Sequence, residues 1–236
     1  MKVLAIDTST FVMGIGLVDG DKVLGEIVTN FKKNHSIRLM PAIDALMKDA
    51  GVQPSELERI VVAHGPGSYT GVRIGVTTAK TLAWSLKIPL VGVSSLEVLA
   101  QNGRYYDGVV APIIDARRGQ VYTGLYQGEK GVIRSVFEDQ ICLISDWTNY
   151  LAENYQNVLF LGNDLSIHKQ VIEENLREKK QFGSLSDHNP RPSELAKLGI
   201  EKEPCLNIHQ FKPNYIRLAE AEVNWLAKQK NSIEIG

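Results

Sequence analysis

A carboxylate followed by three hydroxyls, at the end of the first predicted strand, forms the most chemically capable group in the sequence. Asp7 follows the apolar run KVLAI, and Thr8, Ser9 and Thr10 come directly after it. Such a group points to the edge of a sheet where α/β proteins bind ligands. The carboxylate suits a cation or a water, and hydroxyls with turn amides suit a phosphate. An Asx turn, in which the hydroxyls only cap the carboxylate, explains the same residues equally well.

A glycine-rich segment, HGPGSYTGVRIG at residues 64–75, is the second candidate for ligand binding. Its glycines allow positive φ angles and a close approach of the backbone to a ligand. The helix predicted after them offers an anion site at its N-terminus. The segment lacks the lysine and spacing of a P-loop and does not follow the GxGxxG pattern, and a tight strand-to-helix turn is the alternative. The residues predicted to line a ligand cleft are Gly65, Gly67, Ser68 and Thr70, together with Asp7, Thr8 and Ser9.

The sequence contains no recognisable set of metal ligands. No two of its five histidines are spaced by three or four residues, and Cys142 and Cys205 lie far apart outside any CxxC frame. We therefore predict no zinc or iron site. A GxSxG elbow, an HExxH helix and the surroundings of a catalytic cysteine are also missing from the sequence. The two thiols fit a reduced compartment, where cysteines pack rather than pair.

The chain repeats itself at an offset of 108 residues, which indicates a duplication. Residues 6–22 align without a gap over residues 114–130, with six identical positions in seventeen. Both copies contain an apolar strand that ends in an aspartate, then a turn, a second strand and a glycine-containing hairpin. Asp115 is therefore the counterpart of Asp7 and joins the predicted cleft residues.

The rest of each half alternates helices and strands, which predicts an α/β fold with helices packed on mixed sheets. An amphipathic helix is predicted over HSIRLMPAIDALMKDAG. The further predicted elements are a strand at 59–63, a helix at 71–87, a strand at 88–93, a helix from Ser94 or Ser95, a strand at 158–164, a charged helix after it, a short helix from Pro192 and a last helix at 218–230. We predict two domains, 1–103 and 104–213, with a C-terminal helix at 214–230 that packs back on the first.

Two of these helices carry stripes suited to close packing. In the helix at 71–87, small residues recur every four positions, beside a polar stripe that ends in an aromatic side chain. The small residues pack either on the domain's own sheet or on a helix from another chain. The preceding helix has an apolar stripe of Ile37, Met40, Ile43, Leu46 and Met47, which forms core or, because methionine adapts to varied surfaces, meets a partner. The small stripe is Gly71, Gly75, Ala79 and Ala83, and the polar stripe is Arg73, Thr77, Lys80 and Trp84.

The charge balance argues against a chain that grips nucleic acid by itself. The 236 residues include 26 Lys and Arg against 27 Asp and Glu, a formal net charge of −1 at pH 7. Neutralising phosphates requires a basic surplus, so any nucleic-acid contact must be local or made within a complex. No apolar run approaches the ~20 residues that span a membrane, and the N-terminus MKVLAIDTST is not a secretory signal. A cytoplasmic protein without membrane contact is expected.

Four motifs resemble those of the bacterial TsaB family. They are LAIDTS at 4–9, HGPGSYTGVRIG at 64–75, IDARRGQVY at 114–122 and PNYIR at 213–217, so the resemblance covers nearly the whole chain. Members of that family are non-catalytic subunits in the synthesis of threonylcarbamoyladenosine in tRNA. The resemblance implies two duplicated RNase-H-like domains, the architecture shared by actin, sugar kinases and a chaperone ATPase domain. The repeat at 108 residues agrees with it.

The resemblance also implies a division of labour between subunits. The catalytic paralogue has a metal-binding HxxxH helix, and the corresponding positions here are Ser95 and Leu99 in GVSSLEVLA. A hydroxyl and an isobutyl group do not replace two imidazoles at a metal. The chain is thus expected to bind and activate the catalytic threonylcarbamoyl transferase paralogue, together with a small P-loop ATPase subunit. ATP is then used by the complex, and no cofactor is assigned to this chain.

The surfaces that meet the partners follow from the same resemblance. Pairing is implied through the first two helices, and in isolation this face is expected to form a homodimer. The predicted contact residues are Met40, Ile43, Met47, Gly71, Gly75, Ala79 and Ala83. tRNA is reached through the complex, and an anion or tRNA contact is predicted at Arg117, Arg118, Lys212 and Arg217.

An enzyme that acts alone is the competing interpretation. It would be an ATP-dependent kinase or hydrolase of the same fold that uses the cleft at Asp7 and Asp115. Kinases of this fold place a glycine-rich phosphate loop at the second repeat, whereas Arg117 and Arg118 occupy that turn here. A glycoprotease, the third interpretation, finds neither metal ligands nor a nucleophile in the sequence.

Overall fold

The computed structural model of the chain describes residues 1–31 and 34–216. Arg217 and the helix predicted at 218–230 lie outside the described residues, so the predicted C-terminal helix at 214–230 is described only at its start. The first half contains β1 (Lys2–Asp7), β2 (Val12–Asp19), β3 (Lys22–Asn30), α1 (His35–Asp49), β4 (Arg59–Ala63), α2 (Tyr69–Leu86), β5 (Leu90–Val93) and α3 (Ser95–Ala100). The second half contains β6 (Val109–Asp115), β7 (Gln120–Glu129), β8 (Val132–Leu143), α4 (Ile144–Asn154), β9 (Val158–Leu161), α5 (Leu165–Leu176), β10 (Lys180–Phe182) and α6 (Pro192–Glu201). None of the helices within 1–31 and 34–216 has the length and apolarity to cross a membrane.

Each half builds one five-stranded mixed sheet, and the two sheets have equivalent strand orders. The first runs β3-β2-β1-β4-β5 and the second β10-β9-β6-β7-β8. β1 is antiparallel to β2 and parallel to β4, just as β6 is antiparallel to β7 and parallel to β9. This order is the RNase-H-like arrangement, so the predicted duplicated α/β fold is confirmed. Asp7 and Asp115 end equivalent strands.

β1 is the central strand of the first sheet, and both of its faces are buried. Leu4 and Ile6 pack on one face with side chains of α1 and α2. Val3 and Ala5 pack on the other face with Leu195 of α6. The alternation follows from the two-residue period of a strand. Burial of each large apolar side chain stabilises the fold by roughly 1.5–3 kcal/mol.

The small residues of α2 face their own sheet, which corrects the predicted partner contact. Gly71, Gly75, Ala79 and Ala83 are all buried. A Cβ atom on Gly75 would lie 2.5 Å from Oγ1 of Thr8 and 3.6 Å from a methyl group of Val62 in β4. The stripe therefore lets α2 lie close to β1 and β4, and it offers no surface to another chain.

The buried stripe of α1 agrees with the predicted one from Ile43 onward and differs from it in the first two turns. Its members are His35, Leu39, Ile43, Leu46 and Met47, whereas Ile37 and Met40 are exposed. His35 takes part because its Nε2 donates to the carbonyl of Thr10 at 2.8 Å. Ile43 and Met47 are therefore core residues, and only Met40 of the contact residues predicted on this helix lies at the surface.

The last helix of each half packs on the sheet of the other half. α3 places Leu96 and Leu99 in a core with side chains of β6, β7 and β9. α6 places Leu195 in a core with side chains of β1, β4 and β5. The division into 1–103 and 104–213 stays a prediction, and packing crosses it, because α6 follows residue 104 in sequence and lies on the first sheet.

Because α3 and α6 each pack on the sheet of the other half, we call them the exchanged helices. A carboxylate on the third strand of each half, β3 or β8, accepts a hydrogen bond from the start of the exchanged helix that packs there. Glu26 of β3 accepts a hydrogen bond from Ser193 N, in the first turn of α6, at 2.5 Å. Asp139 of β8 accepts hydrogen bonds from the hydroxyls of Ser94, which caps α3, and Tyr126. Burial, followed by the Asp139 charge, raises the pKa of Tyr126. The two halves are thus joined by two equivalent polar contacts.

Residues 203–216, which we call the strap, return from α6 along β5 and α2. Cys205 N donates to the carbonyl of Leu90 at 2.9 Å, and Asn214 N donates to the carbonyl of His64 at 2.7 Å. Lys80 Nζ of α2 donates to two strap carbonyls at 3.0 and 2.9 Å. These contacts fix the strap to the first half of the molecule.

Candidate functional site

Asp7 lies sealed in the core rather than in an open cleft. The residue is 1% exposed, and its Oδ1 accepts hydrogen bonds from Ser9 N at 2.8 Å and Ser9 Oγ at 2.7 Å. This geometry is the Asx turn, the alternative interpretation of the motif. Oδ2 has no hydrogen-bond partner among the described residues. Burial raises the pKa of Asp7, while the two hydrogen bonds from Ser9 and the charge of His35 oppose that rise.

The glycine-rich loop between β4 and α2 closes directly over this turn. Ser68 N donates to the carbonyl of Ser9 at 2.7 Å, and Thr8 Oγ1 donates to the carbonyl of Gly71 at 2.7 Å. A Cβ atom on Gly67 would lie closer than 3.0 Å to the Ser9 carbonyl oxygen, and one on Gly71 equally close to that of Thr8. The glycines are therefore required for backbone contact with the first turn. Of the residues predicted to line the ligand cleft, Thr8, Ser9 and Gly65 are buried, Gly67 is half-buried, and Ser68 and Thr70 are exposed. The ligand cleft stays a prediction.

Asp115, the counterpart of Asp7, has different surroundings. It is half-buried, its Oδ1 hydrogen-bonds to Nε2 of buried His168 at 2.9 Å, and its N donates to Oδ2 of Asp164 at 3.0 Å. Burial raises the pKa of Asp164, and the charge of Asp115 adds to the rise, while the hydrogen bond from Asp115 N and the charge of His168 oppose it. Sequence reasoning missed this cluster. Its signal is the four-residue spacing from Asp164 to His168, which returns the imidazole to the end of β6.

The turn after Asp115 presents two arginines to solvent. Arg117, Arg118 and Gly119 have φ angles of +66°, +56° and +69°, and both arginine side chains are exposed. Ala116 N donates to the carbonyl of Gln120 at 2.9 Å, which closes the turn. Lys212 is exposed on the strap, on the first half of the molecule. The predicted anion contact at these residues stays a prediction, and its fourth member, Arg217, lies outside the described ranges.

The positions that correspond to the metal ligands of the catalytic paralogue are packed inside the molecule. Ser95 and Leu99 are buried in α3, and Ser95 N donates to the carbonyl of Gly65 at 3.0 Å. Within residues 1–31 and 34–216, no group of three His, Cys, Asp or Glu residues is arranged to hold a metal ion. Neither side chain offers a ligand that a transition metal prefers.

The exposed surfaces of α1 and α2 lie side by side and form the α1–α2 face. Ile37 is 71% exposed and Met40 is 46% exposed on α1. On α2, Thr70 and Thr77 are exposed and Ile74 is half-buried. A shallow groove of about 460 Å³ runs between the helices. This surface combines the exposed apolar side chains Ile37 and Met40 with hydroxyl-bearing side chains that line the groove.

Aromatic side chains fasten the end of the strap to the start of α2. The Arg73 guanidinium lies 3.9 Å from the centre of the Tyr69 ring, and its Nε donates to the Tyr215 hydroxyl at 2.6 Å. The rings of Tyr69 and Tyr215 are 5.3 Å apart. Stacking of a guanidinium on an aromatic ring is attractive because the ring face is negative. Tyr215 of the strap therefore lies next to the α1–α2 face.

The protein-family model that matches the chain is described as TsaD: tRNA N6-adenosine threonylcarbamoyltransferase, and the match covers residues 22–225. A curated relative in Bacillus subtilis (strain 168), named tRNA threonylcarbamoyladenosine biosynthesis protein TsaB, is 56% identical over 230 residues, which are 98% of this chain and 100% of the relative. The protein of the same name in Escherichia coli (strain K12) is 33% identical over 138 residues, which are 56% of this chain and 58% of the relative.

Among solved structures, YeaZ from Pseudomonas aeruginosa is similar to this chain over most of its length. The TM-score is 0.76 and the sequence identity is 27%, with 91% of this chain and 99% of that one covered. The sheet order and the exchange of helices therefore belong to an architecture that recurs in a solved relative.

Proposed function

Because the chain belongs to the TsaB family of tRNA threonylcarbamoyladenosine biosynthesis proteins, we propose that it is a non-catalytic subunit that binds and activates the catalytic threonylcarbamoyl transferase paralogue. The complex modifies the adenosine next to the anticodon in tRNAs that read codons beginning with adenine. A small P-loop ATPase subunit takes part, and ATP is used by the complex.

The observation that carries this proposal is the sealed end of β1. Proteins of this fold that act on ligands need an open edge beside the first strand, and here backbone atoms of Thr8 and Ser9 contact the loop at Ser68 and Gly71. Asp7 beneath them is buried, so no phosphate or metal can reach its carboxylate without displacing the loop. A chain that keeps this scaffold with its ligand edge filled is suited to present surfaces to a partner.

The α1–α2 face is the contact surface that this function requires. The proposed contact is centred on Ile37 and Met40 of α1 and on Thr70, Ile74 and Thr77 of α2. Burial of large exposed apolar side chains under a partner favours association. The flexible methionine side chain adapts to the surface that it contacts. The same face forms the homodimer of the isolated chain in our proposal.

Two exposed isoleucines on different helices provide a matched test. Ile37→Asp places a charge in the centre of the proposed contact, and Ile167→Asp makes the same change on α5, where Ile167 is 63% exposed. We expect Ile37→Asp to weaken binding of the catalytic paralogue by about 10- to 100-fold, roughly 1.4–2.8 kcal/mol. Ile167→Asp should bind like the unmodified chain. Calorimetry or light scattering on purified components measures both.

Reconstitution of the modification reaction tests the function itself. The complex should form threonylcarbamoyladenosine in tRNA with the chain, lose most of that activity when the chain is omitted, and lose it with Ile37→Asp but not with Ile167→Asp. Equal binding by the two variants would refute the α1–α2 face as the contact. Clear ATP turnover by the isolated chain would favour the kinase or hydrolase instead. Ala79→Arg is unsuitable as a probe, because Ala79 is buried in the chain's own core.

A further inference from the structure

A long part of the first half contains no acidic residue. Between Glu58 and Glu97, which includes all of α2, the sequence has no Asp or Glu, and none occurs at 204–216 in the strap. Since the whole chain has a net charge of −1, its carboxylates are concentrated elsewhere. The strap lies along α2 and is bonded to it through Lys80, so the two acid-free segments are neighbours.

The cations of α2 lie in a single row along the helix. Arg73, Lys80 and Lys87 are spaced by seven residues each, and Trp84 lies between the last two. Seven residues are close to two helical turns, so Arg73 and Lys80 project from the same side of α2, about 10 Å apart along its axis. Lys87 follows Leu86 as the C-cap residue of the helix, with a φ of +56°. Arg73 and Lys87 are exposed, and Trp84 is 61% exposed although it is a large aromatic residue.

The strap adds basic and aromatic groups beside this row. His209 and Lys212 are exposed, and Tyr215 joins the guanidinium stack at Arg73. An open groove of about 830 Å³ separates the strap from the end of α2, and Trp84, Lys87 and His209 are among the residues that line it. We call this surface, from Arg73 to Lys87 and from His209 to Tyr215, the α2–strap face.

The nearest carboxylates do not neutralise this face. Glu97 forms an ion pair with Lys202 at 3.0 Å, and Glu203 lies at the first position of the strap, ahead of the groove. Neither carboxylate belongs to the row of cations or to residues 204–216. A surface with several cations and exposed aromatic rings, and with no ion-paired carboxylate on it among residues 1–31 and 34–216, complements a polyanion whose bases can stack.

We propose that the α2–strap face binds the sugar-phosphate backbone of the tRNA substrate, an inference that rests on the proposed function. Lys87 and Lys212 contact phosphates, and Trp84 stacks on an exposed base or ribose. The contact is local, which reconciles RNA binding with a chain of net charge −1. Because Tyr215 of the strap lies beside the α1–α2 face, RNA on this surface lies next to the catalytic partner.

Charge reversal at two exposed lysines tests the proposal in the assembled complex. The variant Lys87→Glu with Lys212→Glu leaves Arg73 and Lys80, which hold the strap, intact. The control Lys22→Glu with Lys169→Glu makes the same change in net charge at exposed positions on β3 and α5. Binding of the tRNA substrate by the complex is measured over a series of salt concentrations. We expect at least a tenfold loss of affinity at low salt and a salt slope smaller by about two for the first variant only.

Trp84→Ala separates stacking from charge. We expect it to lower tRNA affinity by about tenfold while the salt slope stays unchanged, because an aromatic ring releases no counterions. If the double variant matches its control in affinity and salt slope, the proposal is overturned. It is equally overturned if the double variant no longer assembles with the partner subunits, since the face then contacts protein. Modification that proceeds without the chain would refute the proposed function, and the salt slope would still report whether this face binds RNA.

Discussion

The ends of β1 and β6 occupy equivalent places in two equivalent sheets, and each carries an aspartate, yet one end is closed and the other partly open. Asp7 is covered by the loop at 64–68 and hydrogen-bonds only to Ser9 among the described residues. Asp115 is half-buried and pairs with His168, beside a turn of exposed arginines. Duplication therefore preserved the scaffold while the two strand ends acquired separate surroundings.

The connections that follow the fourth strands produce this difference. The loop from β4 to α2 has five residues, 64–68; Gly67 lets it lie on the backbone of the first turn at Ser9, and Gly65 lets it lie on the strap at Asn214. The connection from β9 to α5 has three residues, 162–164, and its last residue, Asp164, accepts a hydrogen bond from the backbone of Asp115. Because Asp164 lies next to Asp115, burying both carboxylates would be costly in free energy. The end of β6 therefore stays polar and partly hydrated. The closed end is filled by backbone contacts, and the open end leaves the turn at 117–119 exposed.

A substitution that disrupts the backbone contact between α2 and the end of β1 should lower the free energy of unfolding the most. In Gly71→Ala the new methyl group meets the carbonyl oxygen of Thr8 at less than 3.0 Å, so β1 and α2 must separate. We expect a loss of about 3 kcal/mol in the free energy of unfolding. Gly119→Ala in the open turn meets no atom within 4 Å but has a φ of +69°, and it should cost about 1 kcal/mol. Urea unfolding measures both, and similar losses would contradict the proposed difference between the ends.

Removal of the two carboxylates that hold the exchanged helices should give losses in the free energy of unfolding that differ less than those of the two glycine variants. Asp139→Ala leaves the buried Tyr126 hydroxyl without its acceptor, and we expect a loss of about 2–3 kcal/mol. Glu26→Ala removes the acceptor at the start of α6, where water can replace it in part, and should cost about 1–2 kcal/mol. Glu129→Ala, at an exposed ion pair with Arg134, serves as a control with less than about 0.5 kcal/mol. Thermal unfolding monitored by circular dichroism measures all three variants. Equal melting temperatures would refute the role of Asp139 and Glu26 in joining the halves.

The smallest effect concerns the charge of Asp7 and depends on pH. Its folded-state pKa is raised by burial, so ionisation is harder in the folded chain, and stability is lost as pH rises through that pKa. Asp7→Asn keeps an oxygen for the Ser9 hydrogen bonds and has no charge. The variant should be more stable than the unmodified chain at pH 8, and the difference should shrink as pH falls. Unfolding measured from pH 4 to 8 would contradict this if the difference grew on acidification.

The repeat, the sheets and the strand-end aspartates were predictable from the sequence because they depend on local patterns. Six identities at a constant offset place Asp115 opposite Asp7 without any three-dimensional information. The four-residue spacing of small side chains in α2 correctly indicated a close approach. The spacing alone does not determine which element packs against α2, and in the structure that element is the chain's own first sheet.

The errors arose where contacts join residues that are far apart in the chain. The stripe of α1 was predicted wrongly only in its first two turns, where His35 and Leu39 are buried in place of Ile37 and Met40. His35 reaches Thr10, a residue outside the helix, and a helical period allows both settings there. The packing of Leu195 on β1 joins residues almost 200 positions apart, and no local pattern records it. The α1–α2 face stays a prediction as a contact surface, and which of its residues are exposed required the structure.

The exchange of α3 and α6 also constrains the order in which the chain can fold during synthesis. When the ribosome has completed the first sheet, the face that contains Val3, Ala5 and Val61 still lacks Leu195, which is translated much later. An apolar sheet face that stays exposed until a later segment packs on it is prone to misfolding and aggregation. The nascent first half must therefore be shielded, or stay loosely folded, until α6 emerges. Both halves then become native in a single late event.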